Sequence, residues 1–287
     1  MRSGFVTFVG RPNVGKSTLL NRILGEKVSI VSDKVQTTRT QVRGVLHLGP
    51  ERGGPAQIVF VDTPGIHKPR TALGDRLNAT ATSAVRDVDV VCLLVDATMP
   101  VGRGDRFIAE KVPTDAVLVV NKVDRASPEQ VLAQLGAASE FGLEAYFPIS
   151  ARTGEGVDAL LDHLVSRLPE GPAYYPDDMV SDQPDAIWVA ELVREQLLAV
   201  THDELPHSIA TRVTELEWPY IRVEIMVERD SQKGIVIGHR GQRLKDVGRR
   251  ARLQIEALLG VPVYLDLHVK IAKDWQRDPR QLRKLGF

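Results

Sequence analysis

The chain has 287 residues, of which 43% are hydrophobic and 26% charged, and its 37 basic and 37 acidic residues give a formal net charge of zero. This composition is typical of a globular protein with one large domain or two of ordinary size, and it excludes a disordered chain. The single cysteine, Cys92, excludes a disulfide framework and fits a reducing intracellular setting. The apolar runs are shorter than the ~20 residues that span a bilayer, and we expect no signal peptide because a strand begins almost at once.

The charges are divided unevenly along the chain. Residues 1–181 carry 20 basic and 21 acidic side chains, residues 182–228 carry 3 and 10, and residues 229–287 carry 14 and 6. The segment 229–287 therefore has a net charge of +8, and the segment 182–228 that precedes it has a net charge of −7. Such a basic region favours an anionic partner, although a solvated charged face would give the same pattern.

The first predicted strand, Phe5–Val9, is followed by a glycine-bounded loop and then by apolar residues at helical spacing. Strand, G-x-x-x-x-G-K-S and helix together predict a phosphate-binding P-loop, in which backbone N–H groups surround a β-phosphate. Lys16 would add charge beside the β- and γ-phosphates, and the Ser17 hydroxyl would ligate Mg²⁺. The predicted nucleotide contacts of this segment are Gly10, Arg11, Pro12, Asn13, Val14, Gly15, Lys16, Ser17 and Thr18.

The segment 28–40 is polar and lacks clear periodicity. In a nucleotide switch, a mobile segment at this point supplies a threonine hydroxyl to Mg²⁺ when a γ-phosphate is bound. We choose Thr38 for this role, and Thr37 is the alternative.

Two strands, 44–48 and 57–61, are joined by a turn-rich segment and predict a hairpin that gives the sheet an antiparallel edge. The second strand leads into a further set of predicted nucleotide contacts, which are Asp62, Thr63, Pro64, Gly65 and Ile66. Asp62 is expected to hold Mg²⁺ through a water, and the Gly65 N–H to meet the γ-phosphate. Together with Lys16 and Thr38, Gly65 completes the predicted catalytic set.

The next position is informative because many GTPases carry a glutamine there to orient the attacking water. Here it is Ile66, whose side chain cannot form a hydrogen bond, so we predict another arrangement for hydrolysis. The adjacent His67 is one candidate base, although a single histidine in a mobile loop is usually only a surface residue. A potassium ion held with the help of Asn13 is a second route.

Selectivity for the base is predicted from Asn121, Lys122, Val123 and Asp124, which follow the apolar run 116–120. A carboxylate accepts two hydrogen bonds, and guanine offers the two adjacent donors where adenine offers an acceptor and a C–H. Asp124 therefore predicts GTP and GDP rather than ATP as ligands. The strand 146–149 ends at Ser150 and Ala151, and we expect the Ala151 N–H to meet the guanine O6.

The alternation of further predicted elements completes an α/β domain. We expect helices over 75–88, 103–110, 127–138 and 153–167, and a buried strand over 89–96. The predicted fold is a P-loop GTPase with a doubly wound mixed sheet over residues 1–168. Residues 169–184, which are rich in proline and glycine, predict a linker.

Beyond residue 184 the pattern changes to a smaller α+β domain, 185–287, with a basic tail. A helix over 185–200, strands over 208–214 and 220–227, a Gly-x-x-Gly segment, a basic helix and a strand over 263–270 are the layout of a KH domain. The glycines would let an RNA backbone approach, and residues 235–237 would form an apolar floor for unstacked bases. The predicted RNA contacts are Lys233, Ile235, Val236, Gly238, His239, Arg240, Gly241, Arg243 and Lys245.

These motifs in this order, with Gln36-Thr37-Thr38-Arg39 and Lys273-Asp274-Trp275, resemble the bacterial Era family over essentially the whole chain. The resemblance implies a slow, monomeric GTPase with a type II KH domain, which binds the 3′ end of 16S ribosomal RNA and assists assembly of the 30S subunit. It also implies a cytoplasmic protein with peripheral association to the inner membrane. The alternative is a GTPase whose C-terminal module docks on a protein or membrane partner.

Overall fold

Two separate sheets form in the computed structural model, which describes residues 1–34, 37–50, 54–66, 69, 71–202 and 205–287. The described contacts divide the chain into two units. Unit 1 comprises Met1–Val31, Thr38–Pro69 and Gly74–Asp182, and unit 2 comprises Ser32–Thr37, Arg70–Leu73 and Gln183–Phe287.

Unit 1 is built on a mixed sheet with the strand order β2-β3-β1-β4-β5-β6, in which only β2 is antiparallel to its neighbour. Its strands are β1 (Arg2–Gly10), β2 (Val42–Leu48), β3 (Ala56–Asp62), β4 (Val90–Asp96), β5 (Val117–Asn121) and β6 (Ala145–Ile149). Its helices are α1 (Lys16–Leu24), α2 (Ala72–Ala84), α3 (Arg103–Ala109), α4 (Pro128–Ala138) and α5 (Val157–Arg167). The predicted doubly wound sheet with an antiparallel edge is confirmed.

The central strands are buried on both faces, as their continuous apolar runs predict. One core, which includes Phe8, Leu20 and Leu164, packs on one face, and a second core around Val9, Leu93 and Val120 packs on the other. Strand β1 lies between β3 and β4, so the chain crosses over to opposite sides of β1. The carboxyl ends of strands at such a switch point are where an open α/β sheet binds its ligand.

Two helices of unit 1, α2 and α5, differ from the prediction by more than one residue at an end. Helix α2 ends at Ala84 rather than at residue 88, because Asp89 already pairs with Phe5 through its backbone and its carboxylate. Helix α5 begins at Val157 rather than at residue 153. Gly154 and Gly156, at φ of 93° and 73°, instead fold the chain after Ser150 into a tight turn.

The segment predicted as a linker, 169–184, packs along unit 1 over most of its length. The Gln57 side chain accepts from the backbone N–H groups of Tyr174 and Tyr175 and donates to the Tyr175 carbonyl. The Tyr174 ring meets Phe5 edge to face at 4.8 Å, and Val45 N–H donates to the Val180 carbonyl at 2.8 Å. Residues up to Asp182 therefore belong to unit 1.

Unit 2 has a three-stranded sheet with the order β7-β8-β9, in which β8 is antiparallel to β7 and parallel to β9. Its strands are β7 (Ala210–Glu217), β8 (Tyr220–Val227) and β9 (Tyr264–Ile271). Its helices are α6 (Asp185–Val200), α7 (Leu205–Ser208), α8 (Asp230–Ile237), α9 (Gln242–Leu259) and α10 (Pro279–Lys284). Helices α8 and α9 connect β8 to β9, with the Gly-x-x-Gly segment between them. This is the predicted KH arrangement.

The C-terminal segment, predicted as a basic tail, is part of the folded unit. Trp275 is fully buried, and its indole N–H donates to the Ser208 carbonyl at 2.9 Å. Helix α10, which the sequence analysis did not predict, is capped by Asp278 and buries Leu282. Within the described residues of both units, no helix combines the length and apolar character needed to cross a membrane.

Candidate functional site

The loop between β1 and α1 has the backbone shape of a phosphate cradle. Asn13 and Gly15 adopt left-handed conformations, at φ of 64° and 101°. A Cβ atom on Gly15 would lie 2.3 Å from Asn121 Nδ2, so this close approach requires glycine. The loop leads directly into the N-terminal end of α1 at Lys16. The free N–H groups and the positive end of the dipole at a helix N-terminus favour an anion there.

Lys16 is buried within this loop. Its ammonium group donates to the carbonyls of Gly10 and Arg11 at 3.3 and 3.2 Å. Burial lowers the pKa of Lys16 to about 8, and the negative charge of Asp62 opposes that shift. A desolvated cation interacts strongly with an incoming anion, so Lys16 is suited to hold a phosphate.

Three predicted metal ligands meet below the loop. Ser17 Oγ donates to Asp62 Oδ2 at 2.7 Å and lies 2.9 Å from Thr38 Oγ1. The rival threonine, Thr37, is engaged elsewhere, because its hydroxyl donates to the Lys34 carbonyl at 2.7 Å. The structure therefore brings Thr38, rather than Thr37, to Ser17 and Asp62.

The surroundings of Asp62 fit a divalent cation. Burial raises the pKa of Asp62, and the nearby Lys16 charge opposes the shift. Asp62 Oδ1 is buried and has no hydrogen-bond partner among the described residues. Hydroxyl and carboxylate oxygens are the donors that Mg²⁺ prefers, and a positive ion would stabilise this carboxylate in its charged form.

The segment after Asp62 packs against the phosphate loop. A Cβ atom on Gly65 would lie 2.8 Å from Pro12 N, so only glycine allows this approach. Thr63 Oγ1 donates to the Phe8 carbonyl at 3.0 Å and ties the segment to β1. Gly65 is thus placed beside the loop, whereas the buried Thr63 side chain has a structural contact.

Ile66 occupies the position where many GTPases carry a glutamine. Its N–H donates to the Gly10 carbonyl at 3.3 Å, and its side chain is buried in the core that contains Val9 and Leu93. The side chain is therefore packed in the core rather than exposed to solvent. The adjacent candidate His67 lies outside the described residues, as does Gln36.

Asn121 connects the phosphate loop to the predicted base-binding loop. Its Nδ2 donates to the Val14 carbonyl at 2.8 Å, and its Oδ1 accepts from the Ala151 N–H at 2.9 Å. The sequence predicts that the Ala151 N–H meets the guanine O6, whereas in the structure this N–H donates to Asn121 Oδ1. The Asn121 carboxamide receives that N–H because the side chain reaches across from the end of the neighbouring strand β5.

Asp124, the residue predicted to read guanine, has polar partners within the protein. Its Oδ1 accepts from Ser150 Oγ at 2.7 Å, and its Oδ2 lies 2.9 Å from the Arg152 guanidinium. The Ser150 hydrogen bond lowers the pKa of Asp124, and the Arg152 charge adds to the effect. The carboxylate is therefore ionised and accepts hydrogen bonds only, as guanine recognition requires.

Lys122 braces the same region. It adopts φ of 71°, and its ammonium group donates to the Asn13 carbonyl at 2.7 Å and to Asp96. These contacts hold the phosphate loop and the base-binding loop together. The Val14 and Val123 side chains pack against the cores, and Arg11 pairs with Asp105 at 3.2 Å.

Three residues near the site were not among the predicted contacts. Ser29 Oγ donates to Asp62 Oδ2 at 2.9 Å, Arg152 pairs with Asp124, and Asp96 pairs with Lys122. Asp96 and Arg152 carried a signal, since each lies at the carboxyl end of a strand that borders the base-binding loop. Ser29 carried none, because it lies in a segment without periodicity.

The loop between α8 and α9 presents the predicted basic residues. Gly238, Arg240 and Gly241 adopt positive φ values of 73°, 49° and 76°. A Cβ atom on Gly238 would lie 2.6 Å from Arg243 Cβ, which explains the glycine. His239 and Arg240 are exposed at the tip of the loop, and Lys245 is exposed on the first turns of α9.

One of the predicted RNA contacts needs correction, and a second, Arg243, has a contact within the protein. Val236 is fully buried, so it cannot form part of an apolar floor for bases. It lies one position from the exposed Ile235, and adjacent residues point in directions about 100° apart on a helix. The Arg243 guanidinium donates to the Ile235 carbonyl, which anchors this side chain to α8. Ile235, His239, Arg240 and Lys245 remain the exposed members.

Comparison with known proteins agrees with this division. Residues 5–122 match the family described as "50S ribosome-binding GTPase", and residues 204–276 match the KH domain family. GTPase Era of Nocardioides sp. (strain ATCC BAA-499 / JS614) is 52% identical over 306 aligned positions, covering 100% of this chain and 96% of that protein. GTPase Era of Mycobacterium tuberculosis (strain ATCC 25177 / H37Ra) is 49% identical, covering 99% and 98%.

Two solved structures are similar to this chain over its full length. A crystal structure of an Aquifex aeolicus Era variant bound to GDP·AlF4⁻ aligns with a TM-score of 0.93 at 40% identity. A structure of Era in complex with MgGDPNP and nucleotides 1506–1542 of 16S ribosomal RNA aligns with a TM-score of 0.93 at 39% identity. Each alignment covers 100% of this chain and 99% of the other.

The fold and the arrangement of Lys16, Ser17, Asp62 and Asp124 define a P-loop GTPase joined to a KH domain. The relatives compared above match over nearly the full length of both chains, and each of them is an Era GTPase. The chain belongs to the Era family of GTPases, and it is a GTP-hydrolysing enzyme.

Proposed function

We propose that this protein is a GTP-dependent switch that binds 16S ribosomal RNA near its 3′ end and assists assembly of the 30S subunit. The observation that carries the proposal is the meeting of Ser17, Thr38 and Asp62. This cluster joins the phosphate loop, the segment before β2 and the end of β3. A site that includes a threonine from a polar connecting segment is suited to distinguish GTP from GDP.

In this proposal, unit 1 positions the nucleotide and stabilises the negative charge of its phosphates during hydrolysis. Ser17, Thr38 and Asp62 are proposed to hold Mg²⁺, which supplies positive charge beside the β- and γ-phosphates. Lys16 and the N-terminus of α1 bind the same phosphates, and the Gly65 N–H is proposed to meet the γ-phosphate. Asp124 selects the guanine base. Because Ile66 is buried, its side chain does not orient the attacking water.

The absence of a glutamine side chain at position 66 leaves water orientation to other groups. A potassium ion near the phosphate loop is the proposed alternative, with Asn13 as a ligand. Asn13 is exposed, and its backbone is in a left-handed conformation. It lies two residues before Gly15 in the phosphate loop. Such an ion would add charge at the β–γ bridge. Dependence of the hydrolysis rate on potassium rather than sodium would support this part of the proposal.

The RNA surface is assigned to the Gly-x-x-Gly loop of unit 2. His239 and Arg240 lie between two glycines with positive φ, and Lys245 and Arg249 continue the positive charge along α9. A KH domain uses such a loop to clamp the backbone of a single strand. In the related Era complex, the bound RNA is nucleotides 1506–1542 of 16S ribosomal RNA. We propose the same class of ligand here.

We further propose a monomer that works in the cytoplasm, with peripheral association to the inner membrane. The test is cross-linking of the full chain, with GTP analogue, to an RNA oligonucleotide that ends in the 16S 3′ sequence. Protection and cross-linking of that sequence at the Gly-x-x-Gly loop is the expected result. Cross-links confined to proteins or lipids in a ribosome and membrane fraction would instead support a protein- or membrane-docking module.

A further inference from the structure

An open apolar groove lies at one end of the unit 2 sheet, where the β7–β8 turn meets the C-terminal end of α9. It has a volume of about 400 Å³ and is lined by Asp185, Trp218, Pro219, Leu259, Val261 and Pro262. Helix α9 has 18 residues, so its two ends are about 27 Å apart. Since the Gly-x-x-Gly loop precedes the other end of α9, the groove is separate from the proposed RNA surface.

The groove is bordered by large apolar side chains that remain in contact with solvent. Trp218 is 49% exposed, Val261 45% and Tyr264 65%. The other two tryptophans, Trp188 and Trp275, are buried. Isolated exposed apolar residues are common on protein surfaces, but a cluster of them beside a concave site is typical of an interaction surface.

One side of the groove is fixed through the backbone of Pro219, and a cluster of aromatic and charged contacts lies beside it. Tyr264 N–H donates to the Pro219 carbonyl at 2.8 Å, and the Tyr264 ring stacks on Tyr220 with centroids 5.5 Å apart. The Tyr220 hydroxyl donates to Asp266 at 2.9 Å, and the Arg222 guanidinium lies over the Tyr220 ring. A preformed surface loses little conformational entropy on binding, which favours affinity.

The charges around the groove select the sign of the partner. Asp185 and Glu217 are exposed, and neither has an ion pair with any residue that the structure describes. The nearby basic residue Arg222 is already paired with Glu215 and Asp266 at 2.9 and 2.8 Å. Such a rim repels RNA and anionic lipid and attracts a cationic chain.

We propose that this groove docks a cationic polypeptide segment, which inserts one aromatic or large aliphatic side chain between Trp218 and Val261. Flanking lysines or arginines of the segment would pair with Asp185 and Glu217. An aromatic anchor in a pocket with a charged rim is the usual organisation of a small, specific protein interface. The partner class is thus a basic protein extension, and the site is additional to nucleotide and RNA binding.

The test uses the full ¹⁵N-labelled chain and an unlabelled nine-residue peptide of lysines and arginines with one central tryptophan. The chain has three tryptophans, and the indole N–H signal of Trp218 is identified by its loss in Trp218→Phe. Saturable movement of that signal, with the signals of Trp188 and Trp275 unchanged, is the expected result. A peptide with central glycine, or with glutamates in place of the basic residues, should leave it in place.

Affinities of a fluorescein-labelled copy of the peptide, measured by fluorescence anisotropy, give the matched comparison. Trp218→Ala should weaken binding at least about tenfold, as expected for an anchor contact, and Glu217→Lys should also weaken it. Leu253→Ala, which changes a residue 58% exposed outside the groove lining, should alter affinity less than about twofold. Circular dichroism establishes that each variant is folded.

The proposal is overturned if the Trp218 signal does not move, or if Trp218→Ala and Leu253→Ala weaken peptide binding equally. It is also overturned if the Trp218 signal responds to the 16S 3′ oligonucleotide or to phosphatidylglycerol vesicles but not to the peptide. Those outcomes would assign the groove to RNA or to the membrane surface.

Discussion

The hydroxyl oxygens of Ser17 and Thr38 lie 2.9 Å apart, although 21 residues separate them in the sequence. Both belong to the cluster around Asp62, which also receives a hydrogen bond from Ser29. Ser17 lies on a helix, whereas Thr38 lies in a segment without helix or strand. The proposed sensing of a γ-phosphate requires that the segment with Thr38 can move relative to the helix.

The first prediction separates the two neighbouring threonines. Thr38→Ala should lower the affinity for a non-hydrolysable GTP analogue in the presence of Mg²⁺ by about tenfold, with the affinity for GDP nearly unchanged. Thr37→Ala is the matched control, because its hydroxyl contacts the Lys34 carbonyl instead. Titration with fluorescent nucleotides measures both. Equal effects of the two substitutions would remove Thr38 from the metal site.

The second prediction concerns the base. Asp124→Asn should lower GTP affinity on the order of 100-fold, since it removes two charge-assisted hydrogen bonds of about 1.5 kcal/mol each. Affinity for xanthosine triphosphate should rise, because an amide can donate where the carboxylate only accepts. Ser150→Ala removes the hydrogen bond to Asp124 and should keep the preference for guanine. Competition binding measures the ratio of the affinities for GTP and xanthosine triphosphate. A ratio equal to that of the parent chain would contradict the role of Asp124 in base selection.

The third prediction tests the role of Ile66. Ile66→Gln should not speed hydrolysis, because the side chain at this position points into the core beside Val9 and Leu93. It should lower the free energy of unfolding by about 1–3 kcal/mol, the cost of burying an amide without partners. Ile66→Val, which keeps the site apolar, should cost only about 0.5–1.5 kcal/mol. A stable Ile66→Gln variant with faster turnover would show that residue 66 can reach the nucleotide.

The fourth prediction concerns acid stability of unit 2. The hydrogen bond from Arg222 holds the pKa of Asp266 below its ordinary value of 3.8. A carboxylate with a lowered folded-state pKa stabilises the fold above the unfolded pKa, and this contribution disappears as the pH falls through the folded pKa. Thermal unfolding by circular dichroism should therefore show a smaller decrease of Tm between about pH 5 and pH 3 in Asp266→Asn than in the parent chain. Identical decreases would contradict this ion pair's role.

The sequence predicted the order of elements and the nucleotide motifs because each has a strong local signal. The apolar runs before Asp62 and Asn121 are long enough only for buried strands, and the glycines of the phosphate loop mark special backbone conformations. The structure also places Thr38, rather than Thr37, beside Ser17. For such motifs, residue type and position in the chain carry most of the information.

Other features depended on contacts between distant residues and could not be predicted locally. The segment 169–182 has the composition of a linker, but Gln57 and Phe5 hold it against unit 1. The basic composition of the C-terminus masked the burial of Trp275 against Ser208. Val236 and Ile235 are neighbouring aliphatic residues, and only Val236 is buried. Which of the two is buried depends on how α8 packs on the sheet. Tertiary packing decides these cases.

The RNA-binding loop is tested by replacing His239 and Arg240 with aspartates. The two residues are exposed between glycines with positive φ, so the change should leave the fold and nucleotide binding intact. It removes positive charge and adds two repelling charges where the RNA backbone must approach. The matched control replaces Arg277 and Arg280, which are exposed basic residues outside the loop, with aspartates.

The most direct measurement is a filter-binding titration at several salt concentrations with an RNA that ends in the 16S 3′ sequence. We predict that His239→Asp with Arg240→Asp weakens binding strongly, and more than the Arg277 and Arg280 control does. The slope of log affinity against log salt should shrink by about 0.7 for each RNA phosphate that the variant no longer neutralises. Affinities and slopes equal to those of the parent chain would contradict the account, because the Gly-x-x-Gly loop would then take no part in RNA binding.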